Sequence, residues 1–215
     1  NVAHDAFFAA ASLPCSIAAL ENGEWCGYVG GLQAWQGVET LVDGFARMAA
    51  ERPRTRLLIL HGDTPKMLSA VERRVARAGL GDRVLLHAPL SQEGVAGVLG
   101  RLRFTAVPLA GTPRNTVQGC CPVKLVESLA AGAPVVASDL AVNREWIRDG
   151  EEGLLAPPDD ARAWALALRR MFDGGAERDR MAAAARRRAE ETFSWRIVHE
   201  RLHNMFHYTA NGGMG

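Results

Sequence analysis

Lys124 and Glu127, a cation and a carboxylate three residues apart, are the side chains best suited to bind a charged substrate. They lie in the segment 120–136, CCPVKLVESLAAGAPVV, where Pro122 opens a predicted helix. Proline in the first turn gives up no needed N–H, and free amides at Val123 and Lys124 would attract phosphate. Lys124 adds a full positive charge, and Glu127 lies near the same helical face, where a carboxylate can bind a sugar diol. The segment therefore predicts a nucleoside diphosphate site.

The spacing of Lys124 and Glu127 has a second interpretation, an ion pair on an exposed helix face. Such an i,i+3 pair stabilises a helix by about 0.2–0.5 kcal/mol and binds no ligand. Spacing alone does not separate the two interpretations.

The histidines are weaker candidates. His61 and His87 end predicted strands, where imidazole can contact phosphate or a base, although histidines in such places more often bond local backbone groups. We include His61 in the predicted site. His199, His203 and His207 recur every four residues on the last predicted helix, a spacing that can bind metal. A solvated or partner-facing stripe is the favoured interpretation, so no metal site is predicted.

Motifs of several other enzyme classes are absent. Gly27, Gly30 and Gly31 in GYVGGL do not form G-x-G-x-x-G, and the sequence has no Walker-type phosphate loop. It also has no G-x-S-x-G elbow, so hydrolases that depend on that motif lack their nucleophile. The string HERLH (199–203) does match H-E-x-x-H, but a solvated or partner-facing stripe is the favoured interpretation of its histidines. A dinucleotide-dependent oxidoreductase has only the predicted fold class in its favour.

The charge balance argues against a nucleic-acid partner, and the cysteine content indicates the cellular compartment. The 215 residues include 25 basic and 24 acidic ones, so no global field attracts nucleic acid, and no nucleic-acid partner is expected. Lysine occurs only at Lys66 and Lys124. The four cysteines lack zinc-site spacing and a chain this long needs no disulfides, which favours a cytoplasmic location.

The start of the chain gives no targeting signal. The apolar stretch 6–20 has no basic region before it and is interrupted by Pro14, so a signal peptide is rejected. No apolar run reaches the ~18 residues of a membrane-spanning helix. The chain opens with Asn1 instead of Met, and we expect it to be a piece of a longer protein.

Strand and helix signals alternate along most of the chain. Strands are predicted at 25–32, 56–63, 83–89, 104–109, 134–138 and 153–157. Helices are predicted at 38–50, 67–79, 92–102, 122–132 and 143–148, with a loop over 110–121. This alternation predicts an α/β fold, a Rossmann-like parallel sheet of about six strands flanked by helices. Extra C-terminal helices are predicted from 159 to 208, with a break at Gly174 and Gly175 and an N-cap at Ser194.

Four ordered segments resemble the C-terminal domain of the family 4 retaining glycosyltransferases. They are YVGGLQAWQGVETLVDGFARM (28–48), RLLILHGD (56–63), CPVKLVESLAAGAPVVASD (121–139) and DGEEGLLAPPDDARAWALAL (149–168). The resemblance implies one half of a GT-B architecture, in which two Rossmann-like domains face each other across a cleft. It implies a connecting segment over 1–24, a nucleotide-sugar-binding domain over 25–173 and a helical extension over 174–215.

The resemblance also implies an activity, transfer of a hexosyl group from a nucleoside diphosphate sugar with retention of configuration. No cofactor and no metal are implied, because basic groups and helix dipoles stabilise the leaving group. The acceptor, a glycan, lipid or small molecule, would be bound mainly by an N-terminal domain missing from this sequence. The isolated domain is therefore expected to be inactive, and peripheral membrane contact is compatible with this assignment.

Site residues follow from the resemblance position by position. Glu127 matches the ribose-binding carboxylate, and it is assigned a catalytic role together with Lys124. Pro122 and Val123 match the helix start that meets the pyrophosphate. The resemblance also matches Ala88, Pro89 and Leu90 to the base-contacting loop, and Gly119, Cys120 and Cys121 to the turn near the sugar. Gly30 joins the donor-binding positions for a different reason, because it ends the first predicted strand, where ligands of open parallel sheets bind. Structural burial is an equal alternative for the two cysteines.

Three positions depart from the family pattern. The family places arginine and lysine after the first strand as phosphate clamps, whereas this chain has Gly31 and Gln36 there. The first glutamate of the family's two-glutamate motif is replaced by Gly119. Losing one charged contact to a leaving phosphate costs roughly 2–4 kcal/mol unless another group compensates; Lys124, Arg114 and the helix amides are the candidates. The alternative function is a non-catalytic sugar-nucleotide-binding or assembly module.

Overall fold

Six parallel strands form one sheet in the computed structural model, which describes residues 2–62, 65–200 and 203–204. The strands are β1 (Glu24–Gly30), β2 (Thr55–His61), β3 (Val84–His87), β4 (Phe104–Val107), β5 (Val135–Ser138) and β6 (Gly153–Ala156). Their order across the sheet is β3-β2-β1-β4-β5-β6. The six predicted strands and their parallel arrangement are confirmed, with bounds that differ by at most two residues.

Helices cover both faces of the sheet. They are α1 (Asp5–Phe8), α2 (Val38–Ala49), α3 (Pro65–Arg77), α4 (Gln92–Leu99), α5 (Val123–Ala130), α6 (Ala141–Arg144), α7 (Ala161–Asp173) and α8 (Gly175–Thr192). Apolar side chains of α1, α4, α5 and α8 pack on one face, and those of α2, α3 and α7 pack on the other. In β2, Leu58 and Leu60 join the first layer while Leu57 and Ile59 join the second. Period-two alternation thus buries the strand on both sides.

Two connections differ from their prediction. Residues 110–121, predicted as a loop, contain one π-helical turn at Arg114–Gln118. The helix predicted at 143–148 is α6, which starts at Ala141 because Leu140 is extended, and which ends at Arg144, four residues before the predicted end. Residues 2–24 contain α1, which packs against α4 and α5, and two short 3₁₀ turns, of which the first packs against α4. Near the C-terminus, Ser194 Oγ accepts the amide of Ile197 at 3.4 Å, so the predicted N-cap is confirmed.

The strand order reverses between β1 and β4. After β1 the chain adds β2 and β3 on one side, and it then crosses to place β4, β5 and β6 on the other. The loops that follow β1 and β4 meet at the carboxyl ends of the strands, where the amide of Ala110 donates to the carbonyl of Trp35 at 3.0 Å. Ligands of open parallel sheets bind at this topological switch point.

Candidate functional site

The side chain of Lys124 reaches from α5 across the switch point to the end of β1. Its Nζ donates a hydrogen bond to Gln36 Oε1 and a second to the hydroxyl of Tyr28 at 3.1 Å. The same ammonium lies 4.5 Å from the centre of the Tyr28 ring. Tyr28 is fully buried in β1, and its hydroxyl donates to the carbonyl of Gly31. Lys124 thereby connects α5 with β1 and with the loop over residues 31–37.

Gly30 leaves the space that the ammonium occupies. A Cβ atom at Gly30 would lie 2.8 Å from Lys124 Nζ, and the residue has a φ of +148°, which favours glycine. The cation therefore lies directly beside the backbone where β1 ends, the edge at which open parallel sheets bind their ligands.

The charge of Lys124 has no counter-ion within the described residues, because none of the ion pairs formed there includes it. Burial lowers the pKa of Lys124 to about 8, although Cys120 and Glu127 act in the opposite direction. Burial also raises the pKa of Glu127, and Lys124 partly offsets that effect. A half-buried cation held by two neutral oxygens leaves a positive potential for an anion.

The start of α5 differs from its prediction. Pro122 is the N-cap and has φ −79° and ψ 72°, the conformation of an inverse γ-turn. This turn directs the Val123 amide to the carbonyl of Cys121 at 2.9 Å, so the prediction that this amide is free is wrong. The amide of Lys124 has no acceptor within the described part of the chain. The helix end therefore offers fewer donors than expected, and the Lys124 side chain is the principal positive group.

Comparison with known proteins identifies the chain's family. The family model described as glycosyl transferases group 1 matches residues 23–173, more than half of the chain. The chain belongs to this family. A D-inositol 3-phosphate glycosyltransferase of Nocardioides is 30% identical over 78% of this chain and 38% of its own length. A phosphatidyl-myo-inositol mannosyltransferase of Mycobacterium tuberculosis is 31% identical over 83% of this chain and 45% of its own length. The chain thus spans less than half of these relatives.

Solved structures share the fold of this glycosyltransferase chain. HepE of Anabaena, in complex with UDP and glucose, has a TM-score of 0.76 and 18% identity over 87% of this chain and 49% of its own. The structural neighbours are GT-B glycosyltransferases, so the predicted fold class is confirmed. Within the described part of the chain, no helix has the length and apolar character needed to cross a bilayer.

Glu127 lies one turn after Lys124 on the same helix, α5. It is half-buried, and its carboxylate has no hydrogen-bond partner among the described residues. Lys124 Nζ instead bonds Gln36 and Tyr28, so the two residues do not form the simple ion pair that their spacing also allowed. The carboxylate remains available to a ligand hydroxyl.

The turn before α5 carries a glycine for a conformational reason. Gly119 has φ 76° and ψ 161°, which lies in a region that L-residues rarely adopt. Cys120 is half-buried and Cys121 is exposed, so neither is a fully buried core residue. Burial raises the pKa of both thiols, which remain protonated at neutral pH. A glutamate at position 119, as in the family pattern, could not adopt this backbone conformation without strain.

His61, His87 and residues 88–90 lie at the same edge of the sheet, and the hydrogen bonds of the Lys124 ammonium within the described residues go to other side chains. His61 Nδ1 lies 3.0 Å from the carbonyl of Gly62, and His87 Nδ1 lies 2.7 Å from that of Ala88. Both imidazoles thus bond local backbone groups, which leaves Nε2 of each for a ligand. Ala88 and Pro89 are exposed and Leu90 is half-buried.

The C-terminal histidines are not brought into a metal cluster by the described structure. The rings of His199 and His203 stack with centroids 6.3 Å apart, and His207 lies outside the described residues. Within residues 2–62, 65–200 and 203–204, no group of three metal-ligating side chains is found.

Two residues of the site, Tyr28 and Asn115, have no recognisable signal in the sequence. The hydroxyl of Tyr28 accepts a hydrogen bond from the Lys124 ammonium. In the sequence, Tyr28 is only an aromatic residue within a predicted strand. Asn115 is almost fully buried, and its Nδ2 donates to the carbonyls of Trp35 and Ala110, both at 2.8 Å. It ties the loop after β4 to the loop after β1. Arg114, whose guanidinium lies 4.3 Å from the centre of the Trp35 ring, strengthens the same connection.

Proposed function

We propose that this chain is the donor-binding half of a retaining glycosyltransferase, which binds a nucleoside diphosphate sugar between the ends of β1 and β4. The observation that carries the proposal is the ammonium of Lys124, held at the switch point without a counter-ion in the described structure. A pyrophosphate would supply the missing negative charge. Glu127, one turn along α5, would accept a hydrogen bond from a ribose hydroxyl.

In the proposed reaction Lys124 acts on the leaving group. As the bond between the sugar and the β-phosphate breaks, negative charge grows on the phosphate oxygen, and a fixed ammonium stabilises that charge more than it stabilises the bound donor. Removing one such preorganised donor costs about 100- to 1000-fold in kcat. Lys124 would therefore account for much of the charge stabilisation that the family's arginine and lysine provide.

The comparisons support a glycosyl donor and an acceptor class. Two relatives are named for transfer to D-inositol 3-phosphate and to phosphatidyl-myo-inositol, and HepE binds UDP and glucose in its solved complex. Because this chain spans less than half of those relatives, the acceptor would be bound mainly by a second domain. Inositol phosphates and inositol lipids are the first acceptors to test.

A donor screen on the full-length protein tests the proposal. Calorimetric titration with UDP, GDP and ADP should show binding of at least one nucleoside diphosphate. The matching sugar nucleotides, with inositol phosphate or inositol lipid vesicles as acceptor, should then release that diphosphate and give a product with the donor's anomeric configuration. Absence of binding to all three diphosphates would overturn the proposal, and binding without turnover across donors would favour a non-catalytic sugar-nucleotide module.

A further inference from the structure

Tyr28 and Gln36 surround the ammonium of Lys124 with neutral oxygen atoms. We infer that they are positioning residues, which hold this ammonium at the end of β1 so that α5 supplies the cation for the donor phosphates. The inference rests on the proposed function, because the anion concerned is the pyrophosphate of the donor. Both residues act through Lys124 and not on the reacting atoms.

The burial of Gln36 is explained by Lys124. Only 6% of Gln36 is exposed, although glutamine is usually a surface residue. Burying an amide is unfavourable unless its polar atoms are hydrogen-bonded. Its Oε1 accepts from the Lys124 ammonium and lies 3.3 Å from the Tyr28 hydroxyl. The loop after β1 therefore places a buried acceptor against a cation that comes from a distant helix.

The direction of the hydrogen bonds at Tyr28 also favours this role. The hydroxyl donates its single proton to the carbonyl of Gly31, so only its lone pairs remain for Lys124 Nζ. Burial raises the pKa of Tyr28, and the phenol stays neutral. The hydroxyl is thus a fixed acceptor, and it fixes the backbone of Gly31 at the same time.

Neutral acceptors keep the positive charge available to a ligand. A carboxylate in the place of Gln36 would pair with Lys124 and cancel most of its potential. The titratable groups that face Lys124 are Tyr28 on β1, Cys120 in the preceding turn and Glu127 on α5. The first two are neutral at pH 7. Glu127 acts on the ammonium through its charge but forms no ion pair with it among the described residues.

Positions 36 and 124 should be interchangeable as sources of the cation. The ends of the two side chains are in hydrogen-bond contact, so a lysine at position 36 would bring its ammonium to nearly the same point. A glutamine at position 124 would then supply the acceptor. The double variant Gln36→Lys/Lys124→Gln therefore exchanges the two side chains and keeps the positive charge at nearly the same point.

The test measures ligand binding by the full-length protein and its variants. The probes are inorganic pyrophosphate and the tightest binder among UDP, GDP and ADP. Lys124→Gln is expected to weaken binding by about 10- to 100-fold, and Tyr28→Phe, which keeps the ring, by about 10-fold. The double variant should recover most of the affinity lost in Lys124→Gln. Thermal unfolding of each variant checks that it folds.

A pH profile separates positioning from a purely structural role. Gln36→Glu should raise the pKa of Lys124, so that affinity persists to higher pH but is weaker at pH 7. Unchanged affinity in Tyr28→Phe and Gln36→Glu, or a folded double variant as weak as Lys124→Gln, would overturn the inference while wild-type binding preserved the proposed function. Failure of the wild type to bind any of the probes would overturn both.

Discussion

The ammonium of Lys124 lies 3.1 Å from the hydroxyl of Tyr28, although the two residues are 96 positions apart in the sequence. The strand order explains the contact, because β1 and β4 are neighbours and α5 follows β4. The chain thus delivers a cation to the end of β1 from the helix beyond the switch point.

Nucleoside diphosphate affinity should fall as the pH rises above about 8. The pKa of Lys124 is lowered to about 8 by burial, and a bound pyrophosphate favours its charged form. At pH 7 the ammonium is already charged, whereas above pH 8 binding requires uptake of a proton. Calorimetric dissociation constants measured upward from pH 7 would show the fall. Lys124→Arg keeps its charge throughout, so a wild-type profile no steeper than that of this variant would contradict the prediction.

Lys124→Met should stabilise the protein near pH 7 while it weakens ligand binding. Folding lowers the lysine pKa from 10.5 to about 8, so at pH 7 the native state carries an unfavourably buried charge. Its removal should raise the free energy of unfolding by about 1–2 kcal/mol, less than the pKa shift alone implies because two hydrogen bonds are lost.

The stability difference between Lys124→Met and the wild type should depend on pH. Between about pH 8 and 10.5 the unfolded wild type binds more protons than the native state. The wild type's free energy of unfolding therefore rises with pH relative to that of the variant. Urea unfolding at pH 7 and at pH 9.5 measures this difference. If the excess stability of Lys124→Met over the wild type grew with pH, the predicted direction of the pH dependence would be wrong.

Gly30→Ala should displace the ammonium and weaken ligand binding. The added Cβ would lie 2.8 Å from Lys124 Nζ, at a φ of +148°. Strain of this kind costs about 1–3 kcal/mol, which urea unfolding would detect together with a loss of diphosphate affinity. Gly81→Ala is the matched control, because a Cβ there meets no atom within 4 Å. Equal stability and equal affinity in the two variants would contradict the close approach of the Lys124 ammonium to the Gly30 backbone.

Restoring the family glutamate at Gly119 should reduce activity. Gly119→Glu would force an L-residue to a φ of 76°, at a cost of about 1–3 kcal/mol, and it would distort the turn before α5. Val117→Glu places the same charge at an exposed position two residues earlier and should have little effect. Transfer rates of both variants, measured with the best donor, decide the point; an increase in Gly119→Glu would contradict the account.

The fold was predictable because its signals are local. Apolar runs such as that of β2 are bounded by turn residues, and their alternation with amphipathic helices admits few arrangements other than a parallel sheet. The start of α6 and the π-helical turn at Arg114–Gln118 were not predicted. Both lie in connections whose backbone depends on contacts with other loops.

The site was predictable only where it follows local spacing. Lys124 and Glu127 share one helix, so their proximity could be inferred from sequence. Tyr28 and Asn115 could not be found this way, because each acts through a contact with a distant segment. The error at Val123 has a different cause: a proline before a helix permits both an N1 position and the γ-turn that Pro122 adopts.

Calorimetric titration of the full-length wild type and Lys124→Gln with the nucleoside diphosphate that binds best measures directly what the Lys124 ammonium contributes to donor binding. Arg77→Gln, which removes an exposed charge from the last turn of α3, controls for the loss of net charge. Lys124→Gln is expected to bind about 10- to 100-fold more weakly, while Arg77→Gln should match the wild type. Equal affinity in Lys124→Gln and the wild type would contradict the assignment of Lys124 as the phosphate-binding cation.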